Sequence, residues 1–261
     1  MCRHLAYAGP ALPLSRLLFE APHALVRQSW APRDMRGGGT INADGYGVGW
    51  FVPGTAEPVR YRRSGPMWAD SALPGLAAAT VSGVVLAAVR SATVGMPAVE
   101  TATAPFADGT WLFSHNGVVA GWPDSVSKLA ERLPTRDLLT LDAPTDSALL
   151  WAVVRDRLRA GATPAEAVSG TVTEVAAAAP GSRLNLLLTD GSAIVASTFG
   201  HALSVRTGGA PGCYPGVPPP GGSVLVSSEP LDDDPGWRPV PDEHLLVATP
   251  SALNLLPLGR S

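Results

Sequence analysis

Cys2 has the most distinctive chemistry in this chain, because removal of Met1 would leave a first residue carrying both a thiol and a free α-amine. An amine in that place can take the proton of the thiol, so that nucleophile and base belong to one residue. A cysteine that follows an initiator methionine can also be there by chance. The role of Cys2 therefore depends on what the rest of the chain supplies.

The segment 113–117 (Phe-Ser-His-Asn-Gly) is a second candidate, since an apolar strand runs into Asn116 and Gly117 there. An Asn-Gly pair readily forms a tight turn, so one interpretation is the corner of a hairpin. The other is an oxyanion hole, in which the Asn116 side-chain amide and the Gly117 backbone N–H donate to the oxygen of a tetrahedral intermediate. The residues alone leave both interpretations open.

Two charged residues stand at the ends of predicted elements. Arg90 closes an apolar strand at 81–90; its guanidinium could reach solvent or bind a carboxylate with its forked donors. Asp146 opens a helix, where it could stabilise the helix dipole or bind an ammonium group. Together, Arg90 and Asp146 could hold the two charges of an amino-acid head group.

The elements that must position these residues are short strands and amphipathic helices separated by Gly and Pro. A helix is predicted at 145–160, capped by Thr145, and a second at 164–179, followed by a hairpin at Asp190-Gly191. Strands, then two adjacent helices, then strands again favour a layered sandwich over βαβ units. The three glycines of 44–50 indicate close-packed strand backbone rather than a phosphate loop, since no helix follows them.

Composition narrows the classes of function. The 261 residues have a net charge of −3 and are expected to form one domain at 2–261 that binds a small molecule rather than nucleic acid. No apolar run reaches the roughly 20 residues that would span a bilayer. Cys2 and Cys213 cannot form a disulfide framework, so a cytoplasmic protein is expected. The five histidines lack metal-ligand spacing, and neither a metal nor a cofactor is expected.

Five ordered motifs resemble those of the class II glutamine amidotransferases, which are N-terminal-nucleophile hydrolases. They are Cys2 itself and the segments 44–50 (Asp-Gly-Tyr-Gly-Val-Gly-Trp), 90–93 (Arg-Ser-Ala-Thr), 115–117 (His-Asn-Gly) and 145–147 (Thr-Asp-Ser). The resemblance implies an α+β fold, a four-layer αββα sandwich of two antiparallel sheets.

The resemblance also implies roles for individual residues. Cys2 would be the nucleophile, Asn116 and Gly117 the oxyanion hole, and Arg90 and Asp146 the holders of a glutamyl α-carboxylate and α-ammonium. Thr93 would assist at the carboxylate.

Three segments, 2–5, 31–35 and 227–233, are most similar to the branch of the family that removes the γ-glutamyl group from a hercynylcysteine sulfoxide conjugate in ergothioneine biosynthesis. That leaving group carries a quaternary ammonium, for which an aromatic face or a carboxylate is the suitable host. Trp30, with Trp68 behind it, is the candidate face, although both could be core residues. A loop at 37–40 is a candidate lid.

Two other functions remain open. Because no synthase segment is found in the chain, it could be a glutaminase subunit that supplies ammonia to a separate synthase. It could also be a catalytically silent binding module. The sequence is compatible with a homo-oligomer but does not predict one.

Overall fold

A computed structural model of the protein describes residues 2–35, 41–208 and 222–259. The predicted loop at 37–40 and Cys213 lie outside these residues. No helix of the described ranges is long and apolar enough to cross a bilayer.

The strands form two sheets in which all neighbouring strands are antiparallel. The first sheet has the order β11-β9-β10-β1-β4-β2-β3 and the second β13-β12-β8-β7-β6-β5. The strands are β1 (Arg3–Pro13), β2 (Tyr46–Trp50), β3 (Val59–Arg63), β4 (Val81–Val89), β5 (Phe106–Asp108), β6 (Trp111–Val118), β7 (Arg183–Thr189), β8 (Ile194–Thr198), β9 (Ser204–Thr207), β10 (Val224–Ser227), β11 (Arg238–Pro239), β12 (His244–Thr249) and β13 (Ala252–Pro257).

Helices cover the outer face of each sheet. They are α1 (Leu25–Gln28), α2 (Leu73–Ala79), α3 (Ser127–Ala130), α4 (Thr135–Leu139), α5 (Asp146–Arg159) and α6 (Pro164–Ala178), with a π-helical turn at Arg16–Glu20 and 3₁₀ turns at Met67–Ala69, Glu100–Ala102 and Asp124–Val126. Thr145 caps α5 by accepting the Ala148 N–H at 3.2 Å, as predicted. Thr163 and Glu166 form a capping box on α6.

Three apolar clusters correspond to the three interfaces of a four-layer arrangement. One lies between the second sheet and helices α5 and α6, and includes Phe113 and Trp151. Another lies between the first sheet and its small helices. The third joins the facing sides of the two sheets, with Ala6 and Leu86 from one and Leu187 and Ala196 from the other. The predicted αββα sandwich is confirmed.

The interpretation of Asn116-Gly117 as a hairpin corner is wrong, because β6 continues to Val118. Asn116 pairs with Asn185 and Gly117 with Leu184 of β7, so these two residues are strand residues and not a hairpin corner. Pairing with a long neighbouring strand therefore overrides the local preference of Asn-Gly for a turn.

The glycines of β2 are close-packed strand backbone, as predicted. A Cβ on Gly47 would lie 2.3 Å from the Ala104 carbonyl oxygen, and one on Gly49 would lie 2.7 Å from Leu112 Cδ1. Any larger residue there would push the strand away from its neighbours.

Candidate active site

Cys2 immediately precedes β1, beside the end of β4. Because Arg3 pairs with Val89 in this antiparallel ladder, Cys2 comes opposite Arg90. The Cys2 Sγ lies 3.7 Å from the Ser91 carbonyl oxygen, and its side chain is half-buried. Cys2 and Arg90 line one narrow cavity, together with Ala88, Val89, Ala102, Thr103, Ala104, Phe106, His115 and Ser147. The thiol is thus accessible from the cavity, while the strand that follows Cys2 is paired with β4.

The backbone holds the Arg90 guanidinium in place. Its Nη1 donates to the Pro97 carbonyl at 2.9 Å and to that of Asp44 at 3.4 Å. The Asp44 carboxylate in turn accepts the Ala92 N–H at 2.8 Å, which fixes the loop after β4. Both guanidinium bonds come from one nitrogen, so donors remain for a ligand carboxylate. Thr93 lies farther along this loop, is exposed and does not line the cavity.

Asp146 lies buried at the first position of α5, where its carboxylate connects three elements. Its Oδ2 accepts the Val119 N–H at 3.1 Å, just after β6, and its Oδ1 accepts the Ser147 N–H at 2.7 Å. Ser147 also contacts His115 Nδ1 at 2.9 Å, and Nε2 of that ring lies 3.1 Å from the Arg183 carbonyl oxygen. Asp146 itself is absent from the lining of the cavity, which its neighbour Ser147 reaches.

Asn116 and Gly117 are fixed in β6 by close packing. The Asn116 side chain is fully buried, and its Nδ2 donates to Ser228 Oγ at 3.1 Å. Its Oδ1 has no hydrogen-bond partner in the described part of the chain. A Cβ on Gly117 would lie 1.8 Å from the Arg183 carbonyl oxygen, so this position requires glycine. One N–H of the Asn116 amide is left for an oxyanion.

Ser228 connects this amide to the strand that carries Cys2. Its hydroxyl accepts the His4 N–H at 2.9 Å and donates to the His4 carbonyl at 3.2 Å, while its own N–H donates to that carbonyl at 2.9 Å. Ser228 is buried and follows directly after β10. One hydroxyl therefore sets the spacing between β1 and the Asn116 side chain.

The side chains of Arg3 and His4 are buried. Burial lowers the pKa of His4 well below its usual value, so the imidazole is neutral at neutral pH, and its Nδ1 lies 3.2 Å from Ser114 Oγ. Burial also lowers the pKa of Arg3, an effect that the Glu229 and Asp34 carboxylates oppose. The Arg3 guanidinium donates to the Cys2 carbonyl at 3.0 Å and to that of Asp34.

A second, larger cavity of about 600 Å³ includes Ser228 in its lining. Its lining comes from three segments, 33–35, 202–204 and 228–240, and consists of Arg33, Asp34, Met35, Ala202, Leu203, Ser204, Ser228, Glu229, Pro230, Asp232, Asp233, Asp234, Trp237, Pro239 and Val240. Glu229 joins segment 228–240 to segment 33–35, because its carboxylate accepts the backbone N–H groups of Arg33 and Asp34 at 2.8–3.1 Å.

The structure brings together some of the residues that the sequence singled out. Cys2 and Arg90 share the narrow cavity, and Asp146 and Asn116 stand one residue from its lining members Ser147 and His115. Trp30 and Trp68 are both 43% exposed and line neither cavity; the Arg27 guanidinium lies 4.4 Å from the Trp30 ring centre.

Sequence reasoning missed His4, Ser228 and Trp237. The one available signal was the Ser-Ser-Glu run at 227–229, which lies in the segment 227–233 of the family resemblance. Among the residues described, no group of three or more His, Cys, Asp or Glu side chains could hold a metal ion.

Comparison with protein families gives a match at residues 17–211 to the model described as glutamine amidotransferases class-II. Two full-length relatives are named gamma-glutamyl-hercynylcysteine sulfoxide hydrolase. The one from Mycobacterium tuberculosis is 40% identical and covers 100% of this chain and 98% of its own length. The one from Mycolicibacterium smegmatis is 39% identical, over 99% of this chain and 100% of its own.

Solved structures share the fold. A glutamine aminotransferase class-II domain protein from Silicibacter pomeroyi superposes with a TM-score of 0.66 at 21% identity, covering 98% of this chain and 99% of its own. Glutamine phosphoribosylpyrophosphate amidotransferase from Bacillus subtilis gives 0.66 at 12% identity, over 99% of this chain and 50% of its own.

Proposed function

This chain belongs to the class II glutamine amidotransferases, and we propose that it hydrolyses the γ-glutamyl amide bond of γ-glutamyl-hercynylcysteine sulfoxide, a step of ergothioneine biosynthesis. The products are glutamate and hercynylcysteine sulfoxide. The observation that carries the proposal is the position of Cys2, opposite Arg90 in one narrow cavity, in a chain that matches relatives of that name along its whole length.

The reaction begins at the thiol of Cys2, the first residue once Met1 is removed. The α-amine takes the thiol proton while Sγ attacks the γ-carbonyl carbon, so that a C–S bond forms and the carbonyl oxygen becomes an oxyanion. The free N–H of the Asn116 amide and the Gly117 N–H donate to that oxyanion. When the tetrahedral intermediate collapses, the C–N bond breaks and the leaving amine takes the proton from the α-ammonium.

Water completes the reaction. With the α-amine again neutral, it deprotonates a water molecule that attacks the thioester carbon, and glutamate leaves as the C–S bond breaks. Cys2 thereby regains its proton, and no external oxidant or metal takes part in this cycle. A nucleophilic Cys2 must stay reduced, so the proposal includes a cytoplasmic location.

Arg90 and Asp146 hold the glutamyl end in this proposal. Arg90 is fixed by two backbone carbonyls yet keeps guanidinium donors for the α-carboxylate. The Asp146 carboxylate is fixed by the N–H groups of Val119 and Ser147, and its negative charge attracts the α-ammonium. Thr93, being exposed, would assist at the carboxylate only if its loop packs onto the substrate.

The direct test compares kcat/KM for three substrates: the sulfoxide conjugate, a simple γ-glutamyl amide and free glutamine. We expect the conjugate to be cleaved fastest, because binding energy from a remote group can lower the barrier. A clear preference for glutamine would instead assign the chain to subunits that donate ammonia to a synthase.

The test of the nucleophile uses the two cysteines of the chain. Cys2→Ala should abolish turnover, as should an uncleaved N-terminal tag that blocks the α-amine, whereas Cys213→Ala should retain it. A tagged protein with full activity would show that the base lies elsewhere. A wild-type protein whose Met1 is absent by intact mass, yet which cleaves none of the three substrates, would indicate a binding module.

A further inference from the structure

Among the described residues, the larger cavity shares no lining residue with the narrow one, but its lining residues Ser228 and Asp34 are hydrogen-bonded to Asn116 and Arg3. We infer that this cavity, lined by Asp233 and Trp237, is the subsite that binds the trimethylammonium end of the leaving group, an inference that rests on the proposed function. Its volume of about 600 Å³ lies within the range of about 300–1,000 Å³ that is usual for small-molecule sites.

Two sets of hydrogen bonds connect the cavity with Asn116 and with the backbone of Cys2. On one side, Ser228 lines the cavity and accepts the hydrogen bond of the Asn116 amide at 3.1 Å. On the other side, Asp34 lines the cavity, and its carbonyl is bound by Arg3, whose guanidinium also donates to the Cys2 carbonyl at 3.0 Å. A group attached to the scissile nitrogen can therefore extend toward this cavity while the glutamyl group occupies the Arg90 side.

The lining has the charge that a quaternary ammonium requires. Of the described residues that line the cavity, five are acidic and one, Arg33, is basic. Asp233 contacts Arg33 Nη1 at 2.6 Å and His23 Nε2 at 3.7 Å, both through Oδ1, so its Oδ2 is not used in either contact. The hydrogen bond from Arg33 lowers the pKa of Asp233, which keeps this carboxylate ionised at neutral pH.

Trp237 supplies an aromatic face next to these carboxylates. Its Nε1 donates to Asp232 Oδ1 at 2.7 Å, and Asp232 in turn pairs with Arg206 at 3.1 Å, so the indole is held in one orientation. A trimethylammonium has no N–H to donate; an aromatic face and nearby carboxylates are the groups that attract it. The leaving group is a betaine, so it also carries a carboxylate, for which Arg33 is the matching charge.

The experiment compares variants on the sulfoxide conjugate and on glutamine, which has no leaving-group cation. Trp237→Leu should lower kcat/KM for the conjugate about tenfold, and Trp237→Phe should restore most of it, because phenylalanine keeps a π-face. Asp233→Asn, at a residue whose side chain is 75% exposed, should also lower it severalfold. For glutamine, none of the three variants should change kcat/KM more than about twofold.

Asp124→Asn is the matched control, since Asp124 is exposed, lies outside the cavity and loses the same charge. Equal losses on both substrates in the Trp237 and Asp233 variants would overturn the inference, as would unchanged activity on the conjugate. Failure of the proposed function has a different signature, because the wild-type protein would then not favour the conjugate at all.

Discussion

Ser228→Ala should separate the catalytic geometry from the fold, because one hydroxyl contacts both Asn116, the proposed oxyanion donor, and the strand that carries Cys2, the proposed nucleophile. The variant removes the acceptor of the Asn116 Nδ2–H at 3.1 Å and of the His4 N–H at 2.9 Å. The backbone bond from the Ser228 N–H to the His4 carbonyl remains, so β1 stays attached to the chain after β10.

The size of the effect follows from these contacts. Each buried donor left without its acceptor costs about 1–3 kcal/mol, so the loss of two acceptors should lower the free energy of unfolding by about 2–6 kcal/mol. An oxyanion donor contributes about a hundred- to a thousandfold to kcat when it is held in place. Asn116 keeps its amide but loses its orientation, so kcat should fall about ten- to a hundredfold, equivalent to about 1.4–2.8 kcal/mol. KM should change little.

The assay measures kcat and KM with a γ-glutamyl amide, together with thermal unfolding. Ser227→Ala is the matched control: the Ser227 hydroxyl is equally buried but has no hydrogen-bond partner among the residues described, so its loss should leave kcat unchanged. Combined with Asn116→Ala, the Ser228 change should add almost nothing to the loss of kcat. Fully additive losses, or a kcat of Ser228→Ala within twofold of wild type, would refute this positioning role.

Three further predictions concern single side chains. Asn116→Ala should lower kcat about a hundredfold or more with little change in KM, and an effect on KM alone would make it a ground-state contact. Arg90→Lys and Asp146→Asn should each weaken recognition of the glutamyl group by about 2–5 kcal/mol, measured as kcat/KM on γ-glutamyl amides; wild-type values would refute the clamp. Burial alone would raise the pKa of Asp70, but hydrogen bonds from Tyr46, Tyr61 and two backbone N–H groups lower it to about 2. This carboxylate therefore stabilises the fold above about pH 4, and that contribution is lost as the pH falls toward 2. Denaturant unfolding should show Asp70→Asn to be less stable than wild type at pH 7 and about equally stable near pH 2.

The sequence predicted those features that depend on short-range pattern. The cap at Thr145, the helix after it and the buried strand leading to Arg90 all follow from periodicity and capping within about fifteen residues. The position of Cys2 at the start of β1 follows in the same way. Asn116 shows the limit of local pattern, because its pairing with Asn185 of β7 determines its conformation.

The hydroxyl of Ser228 and the larger cavity could not be predicted, because each depends on contacts between residues far apart in the chain. Ser228 and His4 are 224 positions apart, and the cavity is formed where three segments meet: 33–35, 202–204 and 228–240. No periodicity or spacing within any one of these segments indicates its contacts with the others. The sequence pointed to Trp30 and not to Trp237 for the same reason: proximity along the chain to 31–35 is visible in the sequence, while proximity in space is not.

The two cavities give a physical reason for the distinction between an ammonia donor and a hydrolase of conjugates. With Arg90 as the proposed holder of the glutamyl group, a site that serves glutamine would need only the Arg90 side, since its leaving group is a single nitrogen. The cavity of about 600 Å³, lined by Ser228 and by Asp34, whose carbonyl is bound by Arg3, is far larger than ammonia requires. Its acidic lining favours a cation. In the proposed function, binding energy gained there would act on the scissile bond, because Ser228 and Arg3 contact Asn116 and Cys2. A remote leaving group would then raise kcat as well as affinity.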